Sequence, residues 1–204
     1  MNLEKLFEMQ KQLDLRIEQE HPRQGGEDRF AKKILALQVE LGELAQNWRG
    51  FKYWSNDQKP KTEELGECPL CKGTGDLGTV WAENCIECGG SGKVVVKNPL
   101  LEEYVDCLHF ILSIGLDLRM DEVADELDFK YSGRDIIDCF VDLNSDITDL
   151  YYVRENDDLN SYIFESIVSK FIRLGELLGF TWEQVEQAYL DKNKINHERQ
   201  ESGY

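Results

Sequence analysis

Apolar side chains recur every three or four residues over most of this chain, the spacing that gathers them on one face of an α-helix. The period is clear over residues 3–20, and a loop with proline and glycine follows at 21–26. A second helix is expected from its N-cap residue Asp28 to Trp48. Later helices are expected over 100–118, 134–153, 160–178 and 181–200. Segment 119–133 is polar and shows no clear period, but the pattern as a whole predicts an all-α fold, a helical bundle.

The helical period stops over residues 55–99, where the chemistry of the chain changes. This stretch contains seven glycines, two internal prolines and four cysteines, with a short strand candidate at 94–96. We therefore expect an all-α domain formed by residues 1–55 and 99–204, with an insertion at 56–98 between its helices.

Composition and charge narrow the class of protein. The 204 residues are 41% hydrophobic, enough for one core and a small appendage. A formal net charge of −17 disfavours non-specific binding to duplex nucleic acid. No stretch is apolar enough for a transmembrane helix, and the acidic start does not look like a secretory signal. These features predict a cytoplasmic protein without membrane or nucleic-acid partners.

Four of the six cysteines form two copies of the motif Cys-x-x-Cys-x-Gly-x-Gly, which resembles the cysteine-rich repeats of DnaJ-type chaperones. Because no export signal is expected, the pairs indicate metal binding rather than disulfides. The thirteen residues between the pairs suit a tetrahedral four-thiolate site, which would hold a structural Zn²⁺. The predicted zinc ligands are Cys68, Cys71, Cys85 and Cys88. Cys107 and Cys139 have apolar neighbours and are expected in the core.

Two pairs of carboxylates, each three residues apart, fall on the second and third predicted helices. They are Glu40, Glu43, Glu103 and Asp106. Residues with this spacing share a helix face, so each pair can hold one side of a divalent ion cluster. Glu103 falls at the same helical angle as Cys107, on an apolar face where an unpaired charge is costly. The oxygen donors suit Mg²⁺. Alternatively, Glu40 and Glu43 are ordinary surface residues exposed to solvent, and Glu103 forms an ion pair with a lysine or arginine.

Three segments carry a family resemblance. They are Leu37-Gln-Val-Glu40-Leu-Gly-Glu43-Leu-Ala with Phe51-Lys-Tyr-Trp54, Glu102-Glu-Tyr-Val-Asp106-Cys-Leu-His109-Phe, and the tail from Tyr189 to Tyr204. Together they resemble the dimeric dUTPase family of the all-α nucleotide pyrophosphohydrolases, to which MazG-like enzymes also belong. The resemblance covers nearly the whole chain outside roughly 56–98, and the combination is more specific than any one segment.

The resemblance implies a homodimeric enzyme that uses Mg²⁺ to hydrolyse dUTP, and also dUDP, to dUMP, with pyrophosphate released from dUTP. It implies that the four carboxylates bind the metal ions and take part in catalysis. The substrate-binding residues that it implies are Gln10, Lys52, Trp54, His109, Lys192, Asn193, Asn196 and Arg199. Among these, Gln10 (rather than Gln12) and Asn196 would read the base.

The remaining implied residues would surround the sugar and the phosphates. The resemblance places His109 near the deoxyribose, and from this position we infer that its ring would exclude a 2′-hydroxyl. Alternatively, His109 is a core histidine whose hydrogen bonds are satisfied within the protein. Lys192, Asn193 and Arg199 suit phosphates, although basic residues also favour a helix C-terminus without any ligand.

Two other functions remain open on the sequence alone. A sister enzyme of the same fold could prefer dCTP, since side-chain amides can turn to suit either base. A protein of another class could use the zinc module for interaction or regulation on an inactive enzyme fold. The insertion departs from the family pattern and could form a lid, extend a dimer interface or contact a protein partner.

Overall fold

The computed structural model describes residues 2–78, 84–124 and 135–203. The elements are α1 (Leu3–Glu20), α2 (Arg29–Trp48), β1 (Glu64–Glu67), β2 (Lys93–Lys97), α3 (Pro99–Asp117), α4 (Ile136–Val153), α5 (Asp157–Leu177) and α6 (Trp182–Glu201). The predicted all-α fold is confirmed, because a single pair of short strands accompanies the helices in these ranges. None of the described helices combines the length and apolar character of a transmembrane segment.

Helix α3 is the centre of the bundle and packs against α1, α2, α5 and α6. Its apolar residues face several neighbours at once, as Tyr104 illustrates. The Tyr104 ring stacks on Phe171 of α5 at 4.1 Å between centroids, and its hydroxyl donates to the Phe171 carbonyl oxygen at 2.9 Å. Because α3 is surrounded in this way, its polar residues His109 and Ser113 are buried inside the protein, whereas Asp117 at its C-terminal end is exposed.

Two helix starts differ by more than one residue from their predicted positions, and a side-chain cap defines each of them. Helix α5 begins three residues earlier than expected, since the Asn156 side chain accepts a hydrogen bond from the Leu159 N–H at 3.2 Å. Helix α4 begins at Ile136, two residues later than expected, after the N-cap residue Asp135. The polar segment 119–133 contains a short 3-10 helix at Met120–Val123, and its remainder from residue 125 lies outside the described residues.

The two strands form an antiparallel pair. The strand predicted at 94–96 is confirmed as part of β2, whereas β1 was not predicted because its sequence Glu-Leu-Gly-Glu has no alternating apolar pattern. At the end of the pair, the Cys68 N–H donates to the Gly92 carbonyl oxygen at 2.9 Å. The strand pair therefore brings the start of the first cysteine motif beside the end of the second.

Candidate active site and cysteine cluster

Helices α2 and α3 pack side by side and bring three of the four predicted metal-binding carboxylates together. Carboxylate oxygens of Glu40, Glu43 and Glu103 all lie within 4.8 Å of one another. The Asn47 side-chain amide donates a hydrogen bond to Glu103 at 3.2 Å, which fixes one of its oxygens. This cluster of carboxylate oxygens has the donor chemistry that a hard divalent cation prefers.

Glu103 is less embedded than its helical angle predicts, and its carboxylate is only half-buried. It lies in the second turn of α3, and its hydrogen-bond partner Asn47 is next to the last residue of α2. A helical angle describes direction around the axis, but burial also depends on where the neighbouring helix ends. The predicted apolar setting is therefore right for Cys107, which is fully buried one turn further along, and wrong for Glu103 itself.

The carboxylates raise one another's pKa values. Burial, followed by the charges of Asp106, Glu43 and Glu103, raises the pKa of Glu40 to about 7. Burial and neighbouring carboxylates also raise the pKa values of Glu103 and Asp106. Like charges held this close oppose ionisation, and a bound cation would reverse that effect.

The fourth predicted ligand, Asp106, makes an ion pair instead of joining the three-carboxylate cluster. The Lys192 ammonium, which extends from α6, lies 2.6 Å from Asp106 and 3.4 Å from Glu102. Lys192 was predicted to contact phosphates, and here its charge is held by two carboxylates of α3. Glu102 was not predicted as part of the site, and its position beside Glu103 gave no signal of this pairing.

A cavity of about 880 Å³ lies between α1, α2, α3 and α6. Small-molecule sites usually have volumes of about 300–1,000 Å³, so the cavity has room for a nucleotide. The predicted site residues that line it are Gln10, Glu40, Asp106, His109, Lys192, Asn196 and Arg199. Residues predicted separately on four helices therefore face one space.

Three predicted substrate-binding residues do not line this cavity. Lys52 and Trp54 lie in the turn after α2, where the Trp54 side chain is 65% exposed and contacts the Phe51 ring edge to face. Asn193 is buried beside the cavity, and its Nδ2 has no hydrogen-bond partner among the described residues. The less favoured candidate Gln12 points elsewhere and donates to Glu8 on the surface of α1.

A buried polar network forms one wall of the cavity. Gln10 Oε1 lies 2.8 Å from His109 Nδ1 and accepts a hydrogen bond from the Tyr189 hydroxyl at 2.9 Å. Gln10 Nε2 donates to Asp14 at 2.7 Å, and the Ser113 hydroxyl donates to the other oxygen of Asp14 at 2.5 Å. None of the partners of Gln10 in this network except His109 was predicted as a site residue. The spacing of Gln10 and Asp14 by one helical turn could have indicated the contact between these two side chains.

His109 is neutral in this network. Burial, followed by the charge of Lys192, lowers its pKa to about 3. The imidazole stacks on the Tyr189 ring at 4.2 Å between centroids, and its buried Nε2 finds no hydrogen-bond partner in the described part of the chain. An unpartnered buried nitrogen on a cavity wall is a feature that a ligand would satisfy.

The four predicted zinc ligands come together, with all four sulfur atoms within 4.8 Å of one another. The Cys68–Cys85 and Cys71–Cys88 sulfur distances are both 3.7 Å. Four sulfurs around one Zn²⁺ at about 2.3 Å would lie about 3.8 Å apart at the corners of a tetrahedron. The sulfur spacing therefore fits a four-thiolate zinc site.

The glycines of the two motifs explain how the turns around the cysteines form. Gly75 and Gly92 have positive φ angles, and a Cβ atom on either would lie 2.3 or 2.2 Å from a carbonyl oxygen of the other motif. Their N–H groups donate to Cys71 and Cys88, each at 3.2 Å. Burial opposes ionisation of Cys88, but hydrogen bonds from backbone amides lower its pKa to about 6. A thiolate stabilised in this way is ready to bind metal.

A helical bundle whose two central helices gather acidic residues beside a cavity of nucleotide size has the architecture of the all-α nucleotide pyrophosphohydrolases. A family model described as dUTPase matches residues 2–67 and 92–204. The chain belongs to this family and is a dUTP diphosphatase, an enzyme that works with a divalent metal ion. The predicted family resemblance is thereby confirmed. Among curated proteins, no match to the chain is found.

Proposed function

We propose that this dUTPase uses Mg²⁺ to hydrolyse dUTP to dUMP and pyrophosphate, and that it also accepts dUDP. The observation that carries the proposal is the carboxylate cluster at the edge of the nucleotide-sized cavity, in a chain of the dUTPase family. Glu40, Glu43 and Glu103 would hold metal through oxygen atoms, and Asp106 would join them as the fourth carboxylate. A ligand set of carboxylate oxygens favours Mg²⁺ over softer cations.

The residues of the chain would bind and orient the phosphates. Held by these carboxylates, Mg²⁺ would supply Lewis acidity towards the phosphates and water. A carboxylate oxygen of this cluster would accept the proton of the attacking water. Lys192 and Arg199 both line the cavity on α6, and their charges would offset those of the phosphates. When phosphate draws Lys192 away, Asp106 would become free to bind metal.

The base and sugar would bind deeper in the cavity, near α1. Gln10 and Asn196 carry the amides proposed to read the base, and both line the same space. His109 would pack on the deoxyribose and leave no room for a 2′-hydroxyl. Lys52 and Trp54 lie outside the cavity of this chain, and we propose that they border the nucleotide only after the turn or a second subunit closes on it.

We also propose that the protein is a homodimer, as the family resemblance implies. Exposed apolar side chains on α2 and α4 support an interface there. They include Leu35, Val39, Ile137, Val141 and Tyr152. The two helices adjoin, since the Gln38 amide donates to the Thr148 hydroxyl at 3.1 Å. Sedimentation velocity should give twice the mass of one chain for the wild type and a monomer for Val141→Arg, and a monomeric wild type would contradict the proposal.

Residues 56–98 are proposed to be an insertion that carries a structural Zn²⁺, within an enzyme domain formed by 1–55 and 99–204. The Lys61 N–H donates to the Asn47 carbonyl oxygen at 2.9 Å, and the Leu100 N–H donates to the Lys61 carbonyl oxygen at 3.0 Å. Because Lys61 thus bridges the end of α2 and the start of α3, the segment leaves and rejoins the bundle at neighbouring points. A cytoplasmic location, where paired cysteines stay reduced, fits the same proposal.

The insertion also offers a surface for a protein partner. Leu70 and Ile86, each located inside a Cys-x-x-Cys turn, are 47% and 82% exposed. A partner that covered these two side chains would contact both cysteine motifs at once. A lid over the cavity and an extended dimer interface are the other roles proposed for this insertion.

A panel of nucleotides tests the proposed reaction. With Mg²⁺, we expect dUTP to be hydrolysed with a kcat/KM at least about a hundredfold above those for dCTP, dTTP and UTP, since each alternative loses a hydrogen bond or meets a steric clash. Product analysis should give dUMP from both dUTP and dUDP, and EDTA should stop both reactions. A preference for dCTP would show that cytosine, and not uracil, is the recognised base. If the metal-loaded protein hydrolysed none of these nucleotides, the proposed function would be wrong.

A further inference from the structure

The Gln10 side chain is surrounded by groups that fix which way its amide points. Asp14, one helical turn away on α1, accepts a hydrogen bond from Gln10 Nε2 at 2.7 Å. A carboxylate can only accept, so the amide must turn its NH₂ group towards Asp14. The reverse orientation would place Gln10 Oε1 against a carboxylate oxygen, which is repulsive.

Asp14 is itself held in place by neighbours on two other helices. The Ser113 hydroxyl of α3 donates to one of its oxygens at 2.5 Å, and the Lys33 ammonium of α2 lies 3.6 Å from the same oxygen. Lys33 is also 2.8 Å from Asp117, which keeps the ammonium in this position. The orientation of the Gln10 amide is therefore set by contacts among three helices, not by α1 alone.

The fixed amide leaves only one hydrogen-bonding capacity for a ligand. Gln10 Oε1 already accepts hydrogen bonds from His109 Nδ1 at 2.8 Å and from the Tyr189 hydroxyl at 2.9 Å. The Tyr189 hydroxyl also faces the Leu6 carbonyl oxygen, but at the longer distance of 3.4 Å. With both lone pairs in use and one N–H given to Asp14, the second N–H remains. Because Gln10 lines the cavity, the capacity that its amide can still offer a ligand there is that of a donor.

We propose that Asp14 is a positioning residue that determines base specificity: it holds the Gln10 amide so that only a donor faces the base. A donor pairs with the carbonyl oxygen of uracil and is mismatched with the amino group that cytosine carries at the same place. This inference rests on the proposed function, since it needs the nucleotide base beside Gln10. Asp14 also lines the cavity, but the inference assigns its effect on the choice between dUTP and dCTP to the hydrogen bond with Gln10.

The same geometry fixes the tautomer of His109. Since Gln10 Oε1 accepts, His109 Nδ1 must carry the proton, and Nε2 is left as an acceptor. The side chain is 6% exposed, so solvent does not compete strongly for this proton. The tautomer therefore reports the orientation of Gln10 without any nucleotide present.

Asp14→Asn tests the proposal, because asparagine keeps the shape of Asp14 but can donate as well as accept. An asparagine amide can form a hydrogen bond with the Gln10 amide in either orientation, so the orientation of Gln10 is no longer fixed. We expect the ratio of kcat/KM for dUTP to that for dCTP to fall about tenfold, the effect of one hydrogen bond. The change should lie in KM with kcat nearly constant, since the base contact is equal in the ground and transition states.

Asp191→Asn is the matched control. Gln187 Nε2 donates to Asp191 at 3.0 Å across the same one-turn spacing, but both side chains are exposed on α6. This variant should keep the wild-type substrate ratio. A ratio that fell equally in both variants would overturn the proposal.

A nucleotide-free measurement separates this inference from the proposed function. The chain has three histidines, so a ¹H–¹⁵N spectrum of histidine-labelled protein can resolve each ring. We expect the Nδ1–H tautomer for His109 in the wild type and in Asp191→Asn, and a mixture or the other tautomer in Asp14→Asn. The inference would be overturned if His109 of the wild type carried its proton on Nε2. It would also be overturned if Asp14→Asn kept either the wild-type tautomer of His109 or the wild-type substrate ratio. If the wild type hydrolyses no nucleotide, the proposed function fails, and the spectrum still decides whether Asp14 orients Gln10.

Discussion

Glu103→Gln is expected to lower kcat/KM for dUTP by roughly 10³-fold, which corresponds to about 4 kcal/mol of transition-state stabilisation. The substitution keeps the size of the side chain and leaves an oxygen for the Asn47 amide, which donates to Glu103 at 3.2 Å. It removes one of three carboxylates whose oxygens lie within 4.8 Å of one another. The loss should therefore come from weaker metal binding and not from misfolding, and metal titration by calorimetry would measure it directly.

The same variant is expected to raise the thermal stability of the metal-free protein. Neighbouring carboxylates raise the pKa of Glu103 in addition to burial, so its charge is unfavourable in the folded state without metal. Glu40 shows the pH dependence of this effect, since its pKa rises from 4.5 to about 7 on folding. A carboxyl whose folded pKa is raised stabilises the fold at low pH, and that stability is lost as pH rises through the folded value.

From pH 5 to pH 8, the Tm of the metal-free wild type should thus fall relative to that of Glu103→Gln. The comparison cancels the effect of His109, whose lowered pKa stabilises both proteins as pH rises. Adding Mg²⁺ should restore wild-type stability most at pH 8, where the carboxylates are ionised and bind the ion. Glu8→Gln, an exposed glutamate on α1, serves as a matched control and should change neither activity nor Tm. The metal-site proposal would be wrong if Glu103→Gln kept more than about a tenth of the activity, since a lost metal ligand should cost more than one hydrogen bond.

Replacing Cys71 and Cys88 together by serine is expected to reduce bound zinc from one ion per chain to none. These two sulfurs lie 3.7 Å apart and receive hydrogen bonds from Gly75 and Gly92. Structural zinc contributes about 10–16 kcal/mol of apparent binding energy in small zinc-finger peptides, enough to fold a unit of this size. Without it, the segment with β1 and β2 should lose its structure and become sensitive to proteases.

The six helices lie outside that segment, so far-UV circular dichroism should change little in the double variant. Elemental analysis gives the zinc content, and limited proteolysis locates the cleaved region. Cys139→Ser is the matched control, because Cys139 is fully buried in the bundle and belongs to neither motif. It should retain zinc and lower Tm instead. Zinc retained by the double variant, or a large loss of helical signal, would contradict a structural site confined to the insertion.

Much of the architecture follows from spacing along the chain. The 3.6-residue period predicts the helices because a helix buries one face, and only their ends shift where caps such as Asn156 act. Glu40 and Glu43 share a face for the same local reason. The Cys-x-x-Cys pairs predict a four-sulfur cluster because two residues between thiolates allow both to reach one point, and the sulfurs do come together.

Contacts between distant residues could not be predicted in this way. Lys192 reaches Asp106 across 86 residues, and Ser113 reaches Asp14 across 99. Whether Asp106 faces the other carboxylates or a lysine depends on how α6 packs against α3. Lys52 and Trp54 lie outside the cavity, although their sequence resembles a site segment.

The sequence by itself determined the helices, the acidic pairs, the cysteine cluster and the family, because each is encoded within a few turns or within a recognisable segment. Only the tertiary structure decided which of these groups meet and in which hydrogen-bonding state. The orientation of Gln10 is an example, since it depends on Asp14, His109 and Tyr189 from three helices. The physical reason is that crossing angles and helix positions result from the packing of the whole core, and no local period contains that information.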